Sequence, residues 1–239
     1  MKVDIEKMPK FLEHDGLKDA VVGVAYKSDY NVRYICTRVL DRVNQRNNDN
    51  YIEIPTKDTS VMCESLSYKD LDNKILLANS KFRILISDKY LTFNFIQCYP
   101  GWKEYSNLIK EVLNSIDHIV LQGFYLQYMS CFEELDIFAN LDGNIKFNQL
   151  PVFNGSEFNF SCVCNKDNAE AEATVKLTNN KPIKNTKFSI VQITITGKPG
   201  EYTIGEGLLQ LSICHQFEKH LFFLLLTEEF IESLKPHYE

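Results

Sequence analysis

The sequence predicts an α+β fold in which amphipathic helices pack on one face of antiparallel sheets. Three observations carry this expectation. Several short segments alternate apolar and polar residues, or are apolar throughout, as strands are; FRILIS over 82–87 and YLTFNFIQ over 90–97 are the clearest. Only Asp88 and Lys89 separate these two, which fits a tight hairpin and so an antiparallel pairing. Two further segments repeat apolar residues with the helical period.

Taken in order, residues 1–16 read as a lead-in that ends at Asp15-Gly16, and DAVVGVAYK over 19–27 reads as a buried first strand. Asp29 is placed to cap a helix from Tyr30 to Gln45. Its apolar line is Val32, Ile35, Cys36, Val39, Leu40 and Val43. The turn formers RNNDN follow. Short strands are expected at 51–54, 60–66 and 75–78, before the 82–97 hairpin. Tyr99-Pro100-Gly101 then breaks the chain. Trp102, Tyr105, Ile109, Val112 and Ile116 step by three and four along the next helix, so this face should pack on the sheet with Trp102 as its anchor. Residues 118–130 read as a central strand, apolar on both faces near its middle.

The second half is mostly β. Segments 157–164, 171–178 and 187–196 read as a three-stranded antiparallel meander. A helix over 204–217 follows, then LFFLLL as buried helix or strand. Thr227 is placed to cap a short last helix, with Glu228 and Glu229 in its first turn. A division into residues 1–145 and 146–239 is expected, or else one continuous domain. Both parts run from strands into a helix, so two similar halves fit the pattern.

Composition bounds the function. The chain has 239 residues, 44% hydrophobic and 24% charged, enough for a sizeable core. A net charge of −6, with a pI near 5.5, argues against nucleic acid as the main partner. The first residues lack the apolar core of a signal peptide, and the longest apolar run, 221–226, falls well short of the roughly 20 residues that span a bilayer. A cytoplasmic protein with no membrane partner is expected. The seven cysteines are irregularly spaced, mostly in apolar surroundings, and read as reduced and structural. Cys162 and Cys164 would share one face of a strand, without further ligands for a metal.

No phosphate-binding loop, dinucleotide fingerprint, zinc cluster or nucleophile elbow occurs, so no catalytic residue, metal ligand or cofactor is assigned. Glu133, Glu134, Asp136, Glu228 and Glu229 are carboxylates that solvation or helix capping explains better than a divalent cation. His215 lies beside Cys214 in an apolar stretch and reads as a structural histidine. The face of the first helix opposite its apolar line carries Arg33 and a stripe at Arg38, Arg42 and Arg46. This stripe is the one candidate for an anionic partner, against the plainer reading of a solvated helix face.

Tyr99-Pro100-Gly101-Trp102, then Leu126-Gln127-Tyr128-Met129-Ser130, then His215 followed by Phe223-Leu224-Leu225-Leu226-Thr227, carry a resemblance. In these residues the chain resembles an uncharacterised family of sporadically distributed prokaryotic proteins of about this length, with a Y-P-G-W turn and an L-R-Y-I-N-like strand. Gln127 stands where that family's arginine is expected, and Ser130 replaces its asparagine. The resemblance implies an α+β fold and no particular reaction. It implies a setting in mobile conflict systems, such as antiviral defence or toxin–antitoxin modules. The function expected is therefore a non-enzymatic component that recognises another protein, with self-association as one form of it. The alternative is a nucleotide- or nucleic-acid-binding protein, including a metal-dependent nuclease, that uses the arginine stripe. Arginines bordering a concave surface with carboxylates opposite would favour the alternative; a convex face would exclude it.

Overall fold

The computed structural model describes residues 8–9, 11–14, 16–45, 50–54, 74–95, 99–142, 146–147, 150–151, 157–166, 169–183 and 185–238. The expected strand at 60–66, Arg46, Cys63 and Cys98 lie outside the described residues. In chain order the elements begin with strands β1 (Phe11–Leu12) and β2 (Leu17–Lys27), then helix α1 (Val32–Asn44). Strands β3 (Ile52–Ile54), β4 (Ile75–Ala78), β5 (Phe82–Ile86) and β6 (Tyr90–Phe95) precede helix α2 (Trp102–Asn114). Strands β7 (Val120–Glu133), β8 (Lys146–Phe147), β9 (Leu150–Pro151), β10 (Glu157–Lys166), β11 (Ala169–Ile183) and β12 (Thr186–Gly197) follow. Helices α3 (Ile204–Leu225) and α4 (Glu228–Ser233) and strand β13 (Pro236–His237) complete the order.

The fold class is α+β. A nine-stranded antiparallel sheet runs β10-β11-β12-β7-β2-β6-β5-β4-β3, with two small two-stranded pairings, β1-β13 and β8-β9. The hairpin β5–β6 pairs Phe82 with Phe95 through Ile86 with Leu91, around the expected turn. The meander β10-β11-β12 stands as expected, and β7 is central, between β12 and β2. Contacts group the residues discontinuously rather than by a cut near 145. One unit holds Met1–Asp19, Leu126–Thr196 and Ile213–Glu239, and the other holds Ala20–Tyr125 and Gly197–Ser212.

In the 20–125 unit, α1 buries Val32, Ile35, Cys36, Val39 and Val43, the expected line without Leu40. Its cap is Asn31 rather than Asp29. The Asn31 side chain accepts from the Tyr34 amide at 2.9 Å, while Ser28 Oγ accepts from the Tyr30 amide at 3.2 Å and holds Tyr30 in the turn before the helix. Gly101 precedes α2 at φ 85°, a conformation that a side chain disfavours, so glycine is required after Pro100.

The anchor of α2 differs from expectation. Trp102, at the first helical position, is only half-buried, whereas Tyr105, one turn on, is fully buried. The Tyr105 hydroxyl lies 2.7 Å from the Phe93 carbonyl oxygen and 3.2 Å from that of Ala20, fastening the helix to β6 and β2 at once. Phe82 stacks on its ring at 6.0 Å, and Tyr99 meets it edge-on at 6.0 Å. Tyr105→Phe is expected to lower stability by about 1 kcal/mol, read as an earlier urea midpoint with an unchanged slope. An unshifted midpoint would show that the ring alone holds the helix.

In the other unit, Asp136 accepts from the Phe138 and Ala139 amides at 3.0 and 3.4 Å and caps the 3₁₀ turn Phe138–Asn140. Asn179 donates to Asp136 and accepts from the Ile137 amide at 2.9 Å. α3 is one helix to Leu225, since no proline or glycine interrupts 208–225, and Leu226 leaves it to bridge Leu141. Thr227 caps α4 as expected, accepting from the Phe230 amide at 3.2 Å. Gln127 is 3% exposed, and its Oε1 accepts from Gln192 Nε2 at 3.2 Å. An uncharged side chain suits that position, because a guanidinium there would need a buried partner. No helix among the described residues is long and apolar enough to cross a membrane.

Candidate functional site

Helices α1 and α2 lie side by side in the 20–125 unit, and a half-open groove of about 650 Å³ runs between them. Each helix buries its apolar line, so the residues that wall the groove come from its flanks. Arg38, Asp41, Arg42 and Gln45 form one wall; Asn107, Lys110, Glu111, Asn114 and Ser115 form the other. Arg38 and Arg42 of the expected stripe thus border a concave surface. Arg33 does not line it and instead pairs with Glu53 of β3 at 2.6 Å.

Carboxylates stand opposite the arginines. Arg38 Nη2 is 3.6 Å from Asp117 Oδ2, and Arg42 Nε is 3.9 Å from Glu111 Oε2. Both pairs are long and substantially exposed, so each is worth little to the fold and is easily exchanged for another partner. Arg38, Arg42 and Lys110 are balanced by Asp41, Glu111 and Asp117, leaving a polar surface close to neutral in sum.

The line continues upstream. Tyr30 and Tyr34, each exposed, stack with ring centroids 4.3 Å apart and planes 24° apart. The Tyr34 hydroxyl reaches Asp117 Oδ2 at 3.4 Å, the same oxygen that Arg38 approaches. Desolvation, then the Asp117 charge, push the Tyr34 hydroxyl above its usual pKa. Tyr34, Arg38 and Arg42 are spaced by four along α1, and Tyr30 stacks on Tyr34 from the turn before the helix, so two aromatics adjoin two cations. The two tyrosines were missing from the sequence reading of the stripe, although the same spacing contains them.

The other candidates are structural. Asp136 is engaged by the turn it caps, and Glu228 and Glu229 sit in the first turn of α4. Cys162 and Cys164 share the half-buried face of β10 while Ser161 and Val163 are exposed. Burial, and then Cys162, push the Cys164 thiol up to about 11; burial pushes Cys214 up to about 12, so neither is a ready nucleophile. Among the described residues no group of three His, Cys, Asp or Glu could hold a metal ion.

His215 packs its ring 5.7 Å from that of Tyr128, and its Nδ1 is 3.8 Å from Glu218 Oε2. Burial pushes His215 down to about 3 and the Glu218 carboxyl up to about 8. This pair is therefore electrically neutral as a unit near pH 7. No family model matches the chain, and no curated protein matches it in sequence.

Proposed function

We propose that the protein is a non-enzymatic recognition component that binds another protein through the α1–α2 face. The observation that carries this reading is the composition of the face: exposed, stacked Tyr30 and Tyr34 lead into Arg38 and Arg42 beside a groove of balanced charge. Tyrosine and arginine are among the side chains enriched where protein–protein affinity concentrates, tyrosine because it buries a large rigid area and arginine because its planar fork keeps several donors. Balanced charge suits a partner that carries both signs and gives one that carries only phosphates no net attraction. The likeness of the 99–102 turn and the 126–130 strand to the sporadic prokaryotic family adds a setting, a conflict system of the antiviral or toxin–antitoxin kind.

Purification from the native host of wild type and Arg38→Glu/Arg42→Glu tests the reading. A protein retained by wild type and lost from the double variant is the expected result. Recovery of a bound oligonucleotide with no protein would overturn it. A second copy of the chain as the partner would appear as a concentration-dependent mass that the same variant lowers.

One observation favours the nucleotide alternative. Arg38 and Arg42 do border a concavity with carboxylates opposite, and Tyr30 and Tyr34 offer a flat ring face nearby. Calorimetric binding of a nucleoside triphosphate, abolished by the double variant, would move the assignment to it.

A further inference from the structure

The groove contains polar groups that the fold does not use. Gln45, Asn107 and Asn114 line it with side-chain amides that make no hydrogen bond within the described residues. A primary amide both donates and accepts, which is the complement of a peptide group. A helical partner has little for these amides to hold, because its backbone groups already bond one another. An extended chain in the polyproline II range leaves them open.

The spacings agree. Asn107 and Asn114 are seven residues apart on α2, so they are separated by about 10 Å along the axis. A polyproline II chain turns the same side of its backbone outward every three residues, a rise of about 9 Å. We propose that the groove takes an extended segment of a partner protein. Gln45, Asn107 and Asn114 grip its backbone, while Arg38 and Arg42 exchange Asp117 and Glu111 for acidic side chains of the segment. Asp41 and the released carboxylates then receive a basic neighbour. This rests on the α1–α2 face being a protein-recognition surface.

The test selects a phage-displayed random dodecapeptide library on wild type, with counter-selection on Arg38→Glu/Arg42→Glu. Selected peptides are titrated by fluorescence anisotropy, plain and with N-methylated backbones, against wild type and Asn107→Ala/Asn114→Ala. A single-stranded thymidine dodecamer is the anionic control. Alanine at exposed helical positions leaves α2 folded, which matched thermal melts check. Enriched peptides should mix acidic with basic residues and lose about tenfold in affinity on amide substitution and on N-methylation alike. Peptides that bind but ignore both changes would sink the extended backbone grip and leave the protein-recognition face standing. Failure of every peptide to separate wild type from the arginine variant would sink both. So would an arginine-dependent affinity for the thymidine dodecamer above that of every peptide.

Discussion

Gly23→Ala will destabilise the 20–125 unit by about 3 kcal/mol, at the upper end for overpacking a core. Gly23 lies in β2, and Tyr125 lies in the neighbouring strand β7. A Cβ built on Gly23 would fall 1.7 Å from Tyr125 Cε1 and 2.3 Å from its Cζ. The Tyr125 ring therefore lies flat over the space a side chain would occupy. Alanine must drive that ring off and expose the apolar surface it covers, because neither strand can shift inside a paired sheet. Urea unfolding measures the loss. Tyr125→Ala alone should cost a similar amount, while Gly23→Ala added to that background should cost well under 1 kcal/mol. Equal costs of Gly23→Ala in both backgrounds would mean that backbone conformation, and not the ring, demands glycine.

Stability will stay level between about pH 4.5 and 6.5 and then fall by roughly 2 kcal/mol by pH 8. The cause is the His215–Glu218 pair on α3. Burial raises Glu218 from 4.5 to about 8, with Lys219 pulling weakly the other way. The raised group favours folding below pH 4.5 and loses that advantage as pH climbs to 8. Burial lowers His215 from 6.5 to about 3, with Lys219 adding to it. The lowered group favours folding above pH 6.5 and loses that advantage as pH drops to 3. Between 4.5 and 6.5 the folded and unfolded pair each hold one proton, so the two slopes cancel. Above 6.5 only the folded pair holds one. Urea titrations at pH 5.5, 6.5 and 8 on wild type and Glu218→Gln isolate the effect. Glu218→Gln should abolish the decline above 6.5, and a wild type that stays level to pH 8 would refute the account.

Local patterns were legible. The alternation in 90–95, the Asp88-Lys89 turn and the Thr227 cap each depend on residues within a few positions of one another, and each stands. Helical spacing alone puts Leu211, His215 and Glu218 on one side of α3. Choices among equals were not legible. Asp29 and Asn31 are both competent caps, and the Tyr34 amide reaches only one of them. Trp102 and Tyr105 share one stripe, and the Tyr105 hydroxyl reaches two strand carbonyls.

Long-range placement was not legible at all. Nothing local states that β2 sits between β6 and β7. The arginine stripe could be read from its spacing, but its concavity and its carboxylates come from α2 and Asp117, with the paired residues 69 and 79 positions apart. Three amides on two helices become one surface only once those helices are neighbours.

The pairing of Phe11 with His237 and Leu12 with Pro236 has a consequence for the order in which the chain is made. The unit built from Met1–Asp19, Leu126–Thr196 and Ile213–Glu239 cannot close until its last segment has left the ribosome. The 20–125 unit also needs Gly197–Ser212, but most of its strands and both groove helices emerge long before. During synthesis the surface that holds Arg38 and Arg42 can therefore begin to form while the early strand at 11–12 is still waiting for its mate. A partner that meets the nascent chain would find the groove before the rest of the protein exists.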